Sequence, residues 1–445
     1  MPDEGVGSRT SSPGHPRPSL NLPGSLNPLG YRNFALYWIG FAASNTGKYI
    51  ELFGSVWLIF ELTGSAFLLG LIGLARALPS LVLSPIAGVL VDRVDQRRLL
   101  FTTQALALVA SAAIGLLVVS GLVQPWHVYV EVAAQSAIMA FDAAVRQALF
   151  PRLVPRSRLP EAVTLTVTAA RSSAFLGPAL GGITIAGLGV AAPFFMNALT
   201  FLALMVAVIL MRDVEPVPAR SGSSFRNELL EGLHHILRTP VLSGLLRLEV
   251  VFNIFGVNYV IITIIGRQVL GVGPEGLGGL LSADALGSLI GVGTVLVLGQ
   301  PRRQGRFSIL STFAYAAALV VFAVSHEYVL SFVALVASGV SDVLTAVTRH
   351  TILQLSAPGH MRGRLMANMR VVTGGIGPLA ETQSGVLASL VGGPLALTAA
   401  VGALTIAAGW TAHANPALWR FSRDDGPAGL ELSEREPAAS GARDA

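Results

Sequence analysis

The sequence predicts an all-α membrane protein with twelve transmembrane helices in two pseudo-symmetric six-helix bundles. Three observations carry this. Hydrophobic residues make up 52% of the 445 residues and charged ones only 12%, where a soluble chain carries about a quarter charged. The apolar residues gather in continuous blocks, each long enough to cross a hydrocarbon core of roughly 30 Å as a helix rather than as an alternating barrel strand. The motifs of the first half recur in order in the second, as they do in duplicated structures.

The blocks fall at 34–60, 66–91, 99–121, 126–150, 161–187, 191–211, 242–268, 276–299, 307–325, 328–348, 363–389 and 393–414. Residues 1–30 and 416–445 are polar or rich in Pro, Gly and Ser, and read as disordered tails. Without a cleavable signal in the tail, the first block is expected to act as the insertion signal. Spans at 31–212 form the first bundle and spans at 242–415 the second. The linker between them, 213–241, carries Leu229, Leu230, Leu233, Ile236 and Leu237 at helical spacing, which predicts an amphipathic surface helix. His234 and His235 on it are adjacent, point about 100° apart on a helix and read as a solvated face; no metal site is expected.

Alternate connections carry the basic residues. Arg93, Arg97 and Arg98 follow span 2; Arg152, Arg156 and Arg158 follow span 4; Arg302, Arg303 and Arg306 follow span 8; Arg362 and Arg364 precede span 11. The intervening turns have almost none, so the arginine loops and both termini are expected in the cytoplasm of a cell whose inner (plasma) membrane the chain crosses repeatedly. The net charge of +5 is explained by these loops, and no nucleic-acid partner is expected. Cysteine is absent, which excludes thiol catalysis and disulfides. "GVGPEG" at 271–276 fits a dinucleotide pattern but follows a membrane span instead of a strand. No nucleophile elbow, zinc-protease or P-loop pattern occurs, so no enzyme and no cofactor is expected.

The internal repeat is visible in the motifs. Asp142 and Arg146 near the end of span 4 are echoed by Asp342 and Arg349 in span 10, and Gly177–Pro178 by Gly377–Pro378. Two parallel six-helix units are the arrangement in which bundles rock about a central site.

These features together resemble the major facilitator superfamily. Gly88, Asp92, Arg93, Arg97 and Arg98 match its signature loop, with Asp95 where a glycine is usual and Gln96 where an arginine is expected. "FDAAVRQALFPRLVP", "GPALGG" and "EGLHHILRTP" are similar to the branch containing enterobactin exporters and macrolide-efflux permeases. The resemblance covers 31–415 and implies the major facilitator fold, a small-molecule substrate, export against protons, and a monomer in the lipid bilayer. In the signature loop it implies a latch that joins the halves when the transporter faces outward. Gly88 would allow close helix approach and Asp92 would bind Arg93 or a helix N-terminus. Asp142 and Arg146 would gate with this loop, and Asp342 with Arg349 would be the counterpart. Gly177, Pro178, Gly181 and Gly182, with Arg171 in the same span, fit an antiporter-type helix motif.

Ionisable groups at bilayer depth cost about 3 kcal/mol on insertion scales and mark function. Lys48 and Glu51, at i and i+3, are expected to pair, and Glu51 is the first proton-coupling candidate, tuned by Lys48. Asp284 and Glu381 are the next. Arg76, Asn253, Asn258 and Tyr259 are candidates for lining the substrate path, the last three with helix packing as the alternative role. The expected function is a proton-coupled exporter of a drug-like molecule, siderophore or related metabolite by alternating access. The alternatives are a facilitator or lysophospholipid flippase of the same fold, and a non-transporting sensor or scaffold.

Overall fold

The computed structural model describes residues 24–91, 93–211, 225–299, 301–357 and 361–422. Six long helices form the first half: α1 (Arg32–Thr63), α2 (Ala66–Val91), α3 (Gln96–Val119), α4 (Pro125–Leu149), α5 (Leu159–Leu188) and α6 (Ala192–Leu210). The connecting helix α7 (Phe225–Arg238) follows. The second half holds α8 (Pro240–Phe255), α9 (Tyr259–Gln268), α10 (Pro274–Leu298), α11 (Gln304–Val324), α12 (Tyr328–Ser356), α13 (Arg362–Val391) and α14 (Gly393–Ala414), with a short α15 (Pro416–Arg420).

Among the described residues, nine helical segments are long and apolar enough to cross a membrane, with α8 and α9 counted as one. The helices α1, α5 and α13 reach 32, 30 and 30 residues, ample for a span at 1.5 Å per residue. They fall short on apolarity, because charges and hydroxyls interrupt their apolar runs. Counted by length, the arrangement is consistent with twelve spans.

Local chemistry ends the helices where the sequence turns polar. Asp95 caps α3, accepting from the backbone N–H groups of Arg97 (2.9 Å) and Arg98 (3.2 Å). An acidic N-cap satisfies two orphan donors at once. Span 7 breaks between α8 and α9. There the freed Val257 N–H donates to the Tyr315 hydroxyl (2.8 Å), and Asn258 caps α9 by accepting from Ile261 N–H (3.1 Å). Irregular backbone inside a membrane protein needs such partners.

The ends of the chain are ordered further than composition predicts. Gly24–Gly30 form a 3-10 helix, and α15 buries Leu418 with Phe421 beside α8 and α11. Within the segments expected as tails, Gly24–Gly30 and Pro416–Arg420 are thus helical, because apolar residues such as Leu418 and Phe421 find the bundle. The linker helix α7 forms as its spacing predicts, burying Ile236 against α8 and α13. His234 is exposed on its outer side.

The apolar cores show how the halves meet. One core runs through both, joining Phe53, Val56 and Leu69 of the first half to Ile261, Leu280 and Leu404 of the second. It lies at the end remote from the arginine loops. At the arginine-rich end each half has its own core, one around Phe34, Tyr37 and Val145, the other around Leu242, Leu353 and Leu365. The halves are thus sealed at one end and separate toward the other.

Candidate functional site

Two helix pairs form the seal: α2 against α13, and α5 against α10. They are equivalent under the internal repeat. Gly278 of α10 packs on the Pro178 carbonyl, and Gly73 of α2 packs on the Pro378 carbonyl. Further along, Gly70 meets Gly385 backbone to backbone, and Gly182 meets Pro274. A proline in a helix lacks the N–H that would cover a preceding turn, and a facing glycine lets another backbone come close. Within the expected antiporter motif the roles divide. Gly177 and Gly181 seat α5 on Tyr49 and Phe53 of α1, while Pro178 and Gly182 face the other half. Ser282 Oγ adds a hydrogen bond to the Phe175 carbonyl (2.7 Å) across the same seam.

Arg76 and Glu381 form an ion pair across the α2–α13 seam, 2.6 Å from Nη1 to Oε1. The sequence reading assigned Arg76 to substrate lining and Glu381 to proton coupling. The structure pairs the two, and Arg76 also lines the cavity. The apolar seam solvates neither charge, so each is best met by the other. Ser136 Oγ donates to the Arg76 carbonyl (2.5 Å) and ties α4 to the same turn.

At the sealed end, Arg267 of α9 lies over the Trp57 ring of α1, 4.4 Å from its centroid, with Phe60 at 5.9 Å. Trp57 Nε1 is held by Glu61 (2.8 Å). Arg267 is the isolated basic residue of the outer turns, and this cation–π stack is its role. Such a contact contributes about 0.5–2 kcal/mol. Arg267→Ala is therefore expected to loosen the seal by that amount without unfolding the chain, read as a modest rise in reactivity of a cysteine placed at Ala388, which is buried in the core that joins the halves.

Below the seal lies a cavity of about 270 Å³ lined by Lys48, Glu51, Arg76, Glu131 and Gln135, with Gly374 and Pro378 from the second half. The expected Lys48–Glu51 pair is absent among the described ion pairs. Glu51 turns into the first bundle, 4% exposed, where Asn197 donates to its Oε2 and Gln135 Nε2 donates at 3.3 Å. Amide donors from α4 and α6 reach it from inside the bundle, whereas Lys48 projects into the cavity. Glu131, buried on α4, lies beside Glu51 and accepts from Ser55 Oγ at 3.5 Å. Its position near a helix end drew no site assignment from the sequence; only packing brings α4 against this face of α1.

The remaining candidates sort as follows. Asp142 and Arg146 form the expected pair, but inside the first bundle. Gln104 Nε2 donates to Asp142 (2.7 Å), and Arg146 lies over the Phe41 ring (5.1 Å). They brace α1, α3 and α4, enclosed by Gln104 and Phe41. Arg349 pairs with Glu249 of α8 at 2.8 Å instead of Asp342, and stacks on Phe252 (4.7 Å). The parallel between the halves is kept in the ring, Phe41 or Phe252, and lost in the acid. Asp284 accepts from Ser338 Oγ (3.2 Å), and Arg171 is exposed along α5. Asn258 is committed to its cap and to Ser384 Oγ (2.8 Å), and Asn253 to Glu249 of its own helix (3.0 Å). Asn258 thus ties α9 to α13, while Asn253 bonds within α8. Tyr259 opens α9 next to Asn258.

In the signature loop, Asp92 lies outside the described residues. Gly88 is exposed with open space where a side chain would stand, and Arg93 is exposed. Arg97 instead binds the last carbonyls of α6, Val208 (2.8 Å) and Ile209 (2.7 Å), so it caps a helix C-terminus.

Comparison with known proteins agrees with this architecture. A family model described as transmembrane secretion effector, of the MFS type, matches residues 23–426. The MFS-type transporter YfiS of Bacillus subtilis is 26% identical over 369 residues, 79% of this chain and 86% of its own. The multidrug efflux pump Tap of Mycolicibacterium fortuitum is 26% identical over 371 residues, 80% and 90%. The enterobactin exporter EntS of Salmonella typhimurium is 25% identical over 313 residues, 70% and 71%. Among solved structures, an inward-facing, unoccupied bacterial homolog of the lysosomal transporter Spinster superposes with TM-score 0.71 at 12% identity, covering 88% of this chain and 99% of that one. The fold, the paired seams and the family match over nearly the whole chain lead to one conclusion: this protein belongs to the transmembrane secretion effector family of major facilitator transporters.

Proposed function

We propose that the protein is a proton-coupled exporter that loads its substrate from the cytoplasm. The observation that carries this is the cavity beneath the sealed end, open in the direction of the arginine-rich loops and lined by buried carboxylates. By the positive-inside rule those loops are cytoplasmic, so the state described is the loading state. The relatives Tap and EntS, named as an efflux pump and an exporter, support the same direction.

The cycle then follows from the geometry. An amphiphilic substrate, drug-like or siderophore-like, enters between the separated cores and meets the cavity wall. Its arrival displaces a proton from the carboxylates toward the cytoplasm. The halves rock, the arginine-rich end closes, and the α2–α13 and α5–α10 seams part to release substrate outside. A proton entering from outside resets the carboxylates.

The test is accumulation of fluorescent drugs, a macrolide and a catecholate siderophore in efflux-deficient cells, with and without a protonophore. Wild-type cells are expected to hold less of at least one compound, and both the protonophore and Glu51→Gln are expected to abolish the difference. Export that persists in Glu51→Gln moves the coupling site to Asp284. Export insensitive to the protonophore sinks proton coupling and favours a facilitator.

A further inference from the structure

The acidic groups of the cavity wall are not independent. Glu51 of α1 and Glu131 of α4 are both buried, at 4% and 5% exposure, both line the cavity, and Ser55, one turn along α1 from Glu51, donates to Glu131 (3.5 Å). Each uses Oε2 for its neutral donors: Asn197 and Gln135 for Glu51, Ser55 for Glu131. Each leaves Oε1 buried without a donor. Among the described ion pairs none brings a cation to either residue. The nearest charged groups on the packed elements are Lys48 of α1, which lines the cavity, and Arg76 of α2, which Glu381 holds. The helices α3 and α6 face the pair with Ser111 and Asn197, both neutral.

An ionised carboxylate only accepts hydrogen bonds. Two of them side by side, away from water and without a cation, have nothing to donate between them. Like charges at such separation cannot both ionise, as in carboxylate pairs that share one proton. The neutral donors present, the amides of Asn197 and Gln135 and the hydroxyls of Ser55 and Ser111, bring no positive charge to offset a second negative one.

We propose that Glu51 and Glu131 form a dyad that holds a single proton between them, so that the site carries one charge and one exchangeable proton. This rests on the exporter reading only for the use made of that proton. The dyad joins α1 to α4, and Gln135 links it to Ser111 of α3 (2.8 Å). It sits at the cavity wall, so a substrate in the cavity reaches the pair directly.

A shared proton makes a sharp prediction. If one member becomes glutamine, the other keeps the single charge and its donors, and the proton is no longer held. Dicyclohexylcarbodiimide adds to protonated carboxyls in apolar surroundings. The full-length protein in lipid nanodiscs at neutral pH is treated with it and mapped by peptide mass spectrometry. Wild-type chains are expected to carry one adduct, on Glu51 or on Glu131 and never on both. In Glu51→Gln the label on Glu131 falls to background, and in Glu131→Gln the label on Glu51 does the same. Infrared difference spectra give the second readout: each single variant loses the protonated-carboxyl band of the pair, and the double variant loses nothing more. Doubly labelled chains, unlabelled wild type, or undiminished labelling of the remaining glutamate overturn the dyad. None of these readouts needs transport. A correct labelling pattern with protonophore-insensitive export would therefore keep the dyad and remove the coupling, and the reverse would keep the coupling and remove the dyad.

Discussion

Glu381→Gln is expected to weaken the sealed end by about 1.5–3 kcal/mol, the worth of a charge-assisted hydrogen bond, below the cost at a fully buried pair because the Arg76 side chain is 27% exposed beside the cavity. The side chain keeps its shape, so packing of α2 on α13 is not directly disturbed. What changes is that Arg76, at the seam, loses the carboxylate 2.6 Å away. Arg76→Gln should cost a similar amount for the mirror reason. The double variant Arg76→Gln/Glu381→Gln should cost less than the two singles together, because two neutral amides can bond each other. Since the chain has no cysteine, a clean distance probe is available. Spin labels at Ser120→Cys and Ser389→Cys, on outer ends of opposite halves, would report the seal. The singles should shift the population toward longer distances by roughly one to two powers of ten in the equilibrium. The double should return most of it. Equal disruption in all three would mean that the contact is shape rather than charge.

Gly73→Leu is expected to open the same end by a different route. The added side chain would strike the Pro378 carbonyl and the Thr382 N–H region, both backbone, which cannot rotate away as a flexible side chain would. Overpacking of this kind costs about 1–3 kcal/mol where the core can adjust, and here the adjustment available is separation of α2 from α13. Gly278→Leu, against the Pro178 carbonyl, should do the same at the other seam. Both variants should insert normally and show the longer label distance, with transport lost. Gly88→Leu serves as the contrast, since open space surrounds that position in the state described; it should leave the sealed end unchanged. A Gly73→Leu protein with the wild-type distance would refute the seam as the point of closure.

The two seams explain which parts of the site were legible in the sequence. Gly177–Pro178 and Gly377–Pro378 stand out as a repeated pair, because the same dipeptide recurs at the matching place in the second half. Their partners Gly73 and Gly278 do not, since a glycine in a membrane helix signals close approach without saying to what. The charges divide in the same way. Asp142 and Arg146 are four apart on one helix, so their pairing is local and readable. Arg76 and Glu381 are 305 residues apart, and Arg349 chose Glu249 over the nearer Asp342 because α8 packs against α12.

By itself the sequence determined the membrane class, the helical spans, the duplication, the amphipathic linker and the family to which the motifs belong. These follow from local composition and spacing, because a bilayer demands long apolar helices and a repeat leaves its motifs in order. The tertiary structure alone decided that Glu51 meets Glu131 instead of Lys48, that Arg76 bridges to Glu381, and that the seal lies at the end away from the arginines. The reason is physical: a side chain buried in a bundle answers to the neighbour that packing brings within about 3 Å, and that neighbour comes from another helix.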